Sequence, residues 1–118
     1  MKDFRSLSVW EKSHRFTLTI YAATKSFPKE ELFGITSQLR RASSSIPINI
    51  AEGCGRGSDA DFGRFLQMSL GSASETEYLI LLSLELGYLS KELDQILLAE
   101  VQELKKMLTA LIIKTRRS

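Results

Sequence analysis

A proline at position 47 sits inside a stretch whose apolar residues keep helical spacing on both sides of it. Leu32, Ile35, Leu39, Ala42, Ile46, Asn49 and Gly53 recur at intervals of three and four, the spacing of helices packed nearly antiparallel in a bundle. A mid-helix proline lacks an N–H, and its ring crowds the carbonyl four residues back, here Ser43, at a cost of ~3 kcal/mol or more. The helix must either end near Ser45 and restart, or continue through a kink. Leu39, Ile46 and Ile50 stay in phase across the proline, which predicts one kinked helix over residues 29–53. Hydroxyls of the Ser43–Ser45 run are expected to help solvate the freed carbonyl.

The rest of the chain reads as helices cut to lie against this one. Ser8, with Glu11 three residues on, has the pattern of a capping box and opens a helix over about 8–26. Leu7, Trp10, Leu18 and Tyr21 fall on one side of it; Val9, Phe16, Ile20 and Phe27 fall on an adjoining side. An arc this wide means either deep burial or a second interface, and the second reading is preferred. Pro28 suits a helix start, with Glu30 and Glu31 matching the positive helix end. Gly53-Cys54-Gly55-Arg56-Gly57 stops the second helix, and Ser58 caps a third over about 58–86 with Asp59 and Asp61 in its first turn.

The seam of that third helix is Phe62, Phe65/Leu66, Ser69, Ala73, Thr76, Ile80 and Leu84. Its small middle, Ser69 to Ser74, would let the proline-bearing helix approach closely. Ser90 caps a fourth helix over about 90–115, with Leu93, Ile96/Leu97, Leu104, Met107/Leu108 and Leu111 at helical spacing. The predicted fold class is all-α: an antiparallel up-down-up-down four-helix bundle forming a single domain over residues 1–118. At 43% hydrophobic residues, 118 residues can bury a core without disulfides or metal.

One cysteine, Cys54, excludes a disulfide framework and fits a reducing cytoplasm. No apolar run follows the basic N-terminal residues, so no signal peptide is expected; the cluster Leu79–Leu82 is far short of the ~18 residues of a membrane span. The formal net charge is only +2, but it is unevenly spread. Residues 1–57 carry nine Lys/Arg against five Asp/Glu, residues 58–110 four against nine, and the last eight residues add three positives. Such asymmetry suits an anionic partner at one end or charge-matched subunits of an oligomer.

Catalytic constellations are scarce. His14 lies one turn past Trp10 and reads as a buried or half-buried structural histidine. No Glu-x-x-His motif provides di-metal ligands, and the glycines at 53–57 lack the Gly-Lys-Ser/Thr ending of a phosphate loop. Cys54 with one distant histidine is a poor nucleophile, packed or exposed in its turn. No catalytic residue, metal site or cofactor is expected. More telling is a polar strip on helix two: Gln38, Arg41, Ser45, Asn49, Glu52 and Arg56 share one face, and Glu52–Arg56 is an i,i+4 pair in the favourable order. It reads either as a solvated face or as a contact zone for a helix, a sister subunit or a phosphate backbone. Arg40, Arg41 and Arg56, with the tail Lys114, Arg116 and Arg117, could form a phosphate-binding surface, since arginine's planar fork makes two bonds at once. No aromatic residues interleave them for base stacking.

Several motifs together resemble a known family. They are Phe4-x-x-Leu7-x-Val9-Trp10, Tyr21-x-x-Thr24-x-x-Phe27-Pro28-x-x-Glu31, Gln38-x-Arg40-Arg41-Ala42-x-x-Ser45-Ile46-Pro47-x-Asn49-Ile50-Ala51-Glu52-Gly53, Phe62-x-x-Phe65-Leu66, Gly71-Ser72-x-x-Glu75 and Leu86-Gly87-Tyr88. This pattern is similar to that of the bacterial four-helix-bundle proteins encoded in intervening sequences of 23S ribosomal RNA genes. Those in turn resemble the accessory variability determinant of diversity-generating retroelements. The resemblance implies a ring-like homopentamer with no catalytic residues. For the retroelement branch it implies a basic surface that binds nucleic acid and a reverse transcriptase. The expectation is therefore a non-enzymatic homo-oligomer binding RNA or DNA. The alternative is a protein–protein scaffold or accessory subunit, for example of a reverse transcriptase.

Overall fold

In the computed structural model, which describes residues 2–117, the backbone runs unbroken as helix through Pro47. The four helices are α1 (Ser8–Thr24), α2 (Ile35–Cys54), α3 (Asp59–Glu85) and α4 (Lys91–Arg116). Each packs against the next in sequence and α4 closes against α1, giving the up-down-up-down bundle, 45 Å long and 23 × 20 Å across. Met1 and Ser118, the two ends of the expected domain, lie outside the described residues.

How the helix survives its proline is visible in the hydrogen bonds. The Ser43 carbonyl, deprived of its helical N–H, accepts from the Thr17 hydroxyl of α1 at 3.0 Å. Thr17 Oγ1 also lies 2.8 Å from the Ser13 carbonyl of its own helix, so one proton serves two acceptors. Of these, only Ser43 lacks a backbone donor. The expectation that nearby serines would do this is corrected: the Ser43 and Ser44 hydroxyls turn back to the carbonyls of Arg40 and Arg41. One turn on, Ser69 of α3 donates to the Ile46 carbonyl at 2.9 Å. Both inter-helix bonds are buried, where an unpartnered carbonyl would cost ~1–3 kcal/mol. The small middle of α3 has its expected use: Ser69 and Ala73 let α2 approach.

The core is one cluster drawn from all four helices, including Phe16 and Ile20 of α1, Leu39, Ile46 and Ile50 of α2, Leu66 and Ile80 of α3, and Leu97, Leu104 and Leu108 of α4. Every buried polar side chain in it is serine or threonine. Most return their hydroxyl to a carbonyl three or four residues back, as Thr24 and Ser83 do. Among the described residues, only the Thr36 hydroxyl is buried without a partner.

Boundaries differ from expectation at two helix starts. Ser8 does not cap α1. The chain first makes a 3-10 turn over Phe4–Ser6, with the Asp3 side chain accepting from the Arg5 N–H, and Leu7 takes the cap position without a side-chain bond. Ser8 is thereby drawn inside the first turn, and Glu11 pairs with Arg15 at 2.9 Å. Pro28 likewise opens a 3-10 turn, Lys29–Glu31, and not α2 itself, which begins after Gly34. Leu32 is therefore exposed and is no part of the seam, which starts at Ile35. Glu31 links this junction to the turn between α3 and α4. Its Oε1 lies 3.5 Å from the Ile35 N–H, and its Oε2 accepts from the Tyr88 hydroxyl at 2.9 Å. Ser58 and Ser90 cap α3 and α4 as expected, accepting from the N–H groups of Asp61 and Leu93. Gly87 closes α3 with φ +83°, a left-handed position suited to glycine.

Candidate functional site

The turn that follows α2 is rich in glycine, so Arg56 leaves the helix axis and does not continue the polar strip. Its guanidinium lies 4.7 Å above the Phe65 ring, and Arg64 lies at the same distance from that ring. The expected Glu52–Arg56 ion pair is absent among the described residues, because Arg56 is drawn onto α3. Cation–aromatic attraction of ~0.5–1 kcal/mol at a partly exposed site suffices to choose between these positions.

Around Phe65, the end of the bundle where α2 stops, α3 begins and α4 stops gathers positive charge. Lys2 is tied there by its backbone N–H, which donates to the Cys54 carbonyl at 3.0 Å. Its ammonium stands 5.3 Å from the Phe62 ring and 3.9 Å from Asp59. A groove of about 240 Å³ is lined by Lys2, Asp59, Phe62 and Lys114, among others. A neighbouring groove of about 430 Å³, between α3 and α4, carries Arg64 and Arg116 on its walls. The two helices come close here: a Cβ built on Gly63 would lie 2.8 Å from the Thr115 hydroxyl. Arg117, exposed, ends the cluster. Asp59 and Asp61 sit inside it, Asp61 3.4 Å from Arg64, so part of the charge is compensated locally.

The sequence-based set thus divides. Arg56, Lys114, Arg116 and Arg117 belong to this end. Arg41 lies thirteen residues before the end of α2, ~20 Å along its axis, and points outward from the middle of the bundle. Arg40 is half-buried and serves α1: its Nε donates to Thr24 Oγ1 at 2.8 Å, its Nη2 reaches the Tyr21 carbonyl at 3.5 Å, and its guanidinium covers the Tyr21 ring. It is a clamp on the last turn of α1. Lys2 and Arg64 were not among the expected residues. Their sequence neighbourhoods carry no signal, since only the fold brings position 2 to the α2–α3 turn.

The polar strip of α2 keeps Gln38, Arg41 and Glu52 exposed, with Ser45 and Asn49 half-buried. Asn49 donates from Nδ2 to the Ser45 carbonyl at 2.8 Å, a contact inside the helix. Ile48, 51% exposed, stands in the middle of the strip.

Other sequence candidates resolve as follows. His14 is exposed, correcting the expected burial: it sits on the outer margin of α1, stacked on Trp10 with ring centres 5.0 Å apart. Cys54 is buried at the end of α2, and burial pushes its thiol above the ordinary cysteine range, which leaves it a poor nucleophile. The wide apolar arc of α1 splits. Val9, Phe16 and Ile20 enter the core, while Leu18 and Tyr21 stay exposed at 57% and 41%. Among the described residues, no group of three His, Cys, Asp or Glu side chains could hold a metal ion. No helix among them is long and apolar enough to cross a membrane.

Comparison with known proteins agrees with this architecture. No curated protein matches the chain. A crystal structure of a protein with unknown function from the S23 ribosomal protein family of Bacteroides thetaiotaomicron VPI-5482 superposes with a TM-score of 0.82 at 31% identity, covering 88% of this chain and 94% of that one. The sequence pattern described as 23S rRNA-intervening sequence protein matches residues 5–110. A match over that span, carried by the same four helices, places this chain in the 23S rRNA-intervening sequence protein family.

Proposed function

We propose that this chain is a non-enzymatic, cytoplasmic homo-oligomer, a ring of five, that binds structured RNA or DNA through phosphates at the basic end of the bundle. The observation that carries the reading is the convergence of Lys2, Arg56, Arg64, Lys114 and Arg116 around the start of α3. Phosphate recognition asks for clustered guanidinium and ammonium groups and no base-stacking aromatics. Phe62 and Phe65 are buried and serve as platforms for the cations, leaving neither of these two rings free for bases.

Binding of this kind releases counterions, so RNA retention should fall steeply between low and moderate salt. Arg56→Gln, Arg116→Gln and Arg117→Gln together should reduce affinity tenfold or more at low salt and flatten the salt slope. Arg40 is unsuitable for this test, because its loss loosens α1. Retention that ignores salt, or a triple variant that binds like the parent chain, would sink the reading.

A second reading, a scaffold or accessory subunit for another protein such as a reverse transcriptase, is favoured by the exposed apolar residues Leu18 and Tyr21 on α1 and Tyr78 and Leu81 on α3. Capture of partners from extract after nuclease treatment separates the two. Protein partners that persist favour the scaffold, and their complete loss favours nucleic acid.

A further inference from the structure

The outward face of α2 is built so that it matches itself. We propose that two copies of this chain pair through α2 about a two-fold axis, antiparallel, with Arg41 of each copy against Glu52 of the other. The proposal rests on the homo-oligomer reading above and adds to it a specific surface.

Three observations carry it. First, α2 packs on α1 and α3 through one face only, which leaves the strip from Gln38 to Glu52 uncovered. Second, its two charges have no counter-ion. Arg41 has Ser37, Gln38, Ser44 and Ser45 three and four residues away, none of them acidic. Glu52 has Arg56 at that spacing, but Arg56 is held on Phe65. No ion pair among the described residues includes either.

Third, the spacing is reciprocal. In an antiparallel pair of identical helices, residues whose numbers add to a constant face one another. The register that sets Arg41 opposite Glu52 also sets Ser45 opposite Ile48 and Ser44 opposite Asn49. The half-exposed branched side chain of Ile48 is thereby laid over a serine, and the same contact repeats across the axis. Arg41 and Glu52 are eleven residues apart, ~16 Å along the helix, so the two ion pairs bracket about three turns of contact. Serines at the centre let the axes come to the near end of the usual ~8–10 Å separation. A merely solvated face requires no exposed isoleucine between two opposite charges that lack counter-ions.

Two-fold pairing makes the particle even-numbered: with rings of five it joins two rings face to face, and a bare dimer would keep the α2 pairing while removing the ring. Light scattering on the full chain reads this directly. Arg41→Glu places like charges opposite each other at both ends, as does Glu52→Arg. Each single variant should weaken association at least tenfold, and the Arg41→Glu/Glu52→Arg double variant should restore it to within about threefold of the parent. Circular dichroism on all four proteins checks that these exposed positions leave the helices intact. Single variants that associate like the parent, or a double variant that does not recover, overturn the proposal. A parent particle of five times 13.3 kDa that ignores all three variants also overturns it while leaving the ring reading standing. A monomeric parent overturns both.

Discussion

A threonine on α1 answers for a proline on α2. Thr17 supplies the donor that Pro47 cannot, and it does so from the opposite side of a buried interface. Thr17→Val keeps the shape and removes the proton. It should destabilise the fold by ~1–3 kcal/mol, the cost of a buried carbonyl left unsatisfied, as read by urea unfolding. Pro47→Ala restores an N–H to the Ser43 carbonyl, so in that background the same Thr17→Val change should cost ~1 kcal/mol less. A double-mutant cycle measures that coupling, and equal costs in both backgrounds would break the link between the two residues. Arg40 makes a parallel point. A surface arginine in the sequence turns out to be a helix clamp, because Thr24 and the Tyr21 carbonyl lie within its reach.

Helix pairs set the next scale, and two glycines on facing helices behave oppositely. A Cβ on Gly53 would lie 2.9 Å from the Phe65 Cβ and 3.0 Å from the Phe62 ring, where rigid core neighbours leave it no room. Gly53→Ala should therefore destabilise by ~1–3 kcal/mol despite alanine's better helix propensity. A Cβ on Gly71 would meet nothing within 4 Å, so Gly71→Ala should stabilise by ~0.5–1 kcal/mol. Thermal unfolding of the two variants should move in opposite directions. Between α3 and α4, Glu77 accepts from Lys105 at 2.9 Å, and that ammonium holds its carboxyl below the usual carboxylate range. A depressed carboxyl contributes stability above its unfolded pKa and loses it as pH falls through the lowered value. Glu77→Gln should thus cost ~0.2–1 kcal/mol at neutral pH, as partly exposed pairs do, with the difference from the parent chain closing below about pH 4.

The molecule as a whole is a bundle whose core is complete in one chain, yet whose surface keeps apolar residues on α1, α3 and the turn before α2. Phe33, 95% exposed on that turn, is the extreme case. Charge is segregated along the same axis: the basic cluster occupies the end where α3 starts, while Arg40 and Arg41 stand away from it. This separation sharpens the nucleic-acid test. Glutamine at positions 56, 116 and 117 should lower RNA retention, whereas glutamine at 41 should leave it within about twofold and disturb association instead. Filter retention and light scattering on the same variants distinguish the two surfaces, and a position-41 variant that loses RNA but not mass would merge them.

Much of this was legible in the residues alone. The three- and four-residue spacing of apolar side chains specified four helices, and serines at 58 and 90 marked two of their starts, because caps and periodicity are local properties of a backbone. The unbroken passage of α2 through Pro47 was likewise readable from the phase of its seam. What lay beyond the sequence were the partners. That Thr17 answers Ser43, that Arg56 prefers Phe65 to Glu52, and that Lys2 joins Lys114 at one end depend on distances between segments far apart in the chain. Ser8 and Leu32 were misplaced for the same kind of reason: a 3-10 turn ahead of each helix shifted which residue met the first helical N–H groups. Periodicity determines which face of a helix is buried; only the packed structure decides what each polar group on the margins of that face has within reach.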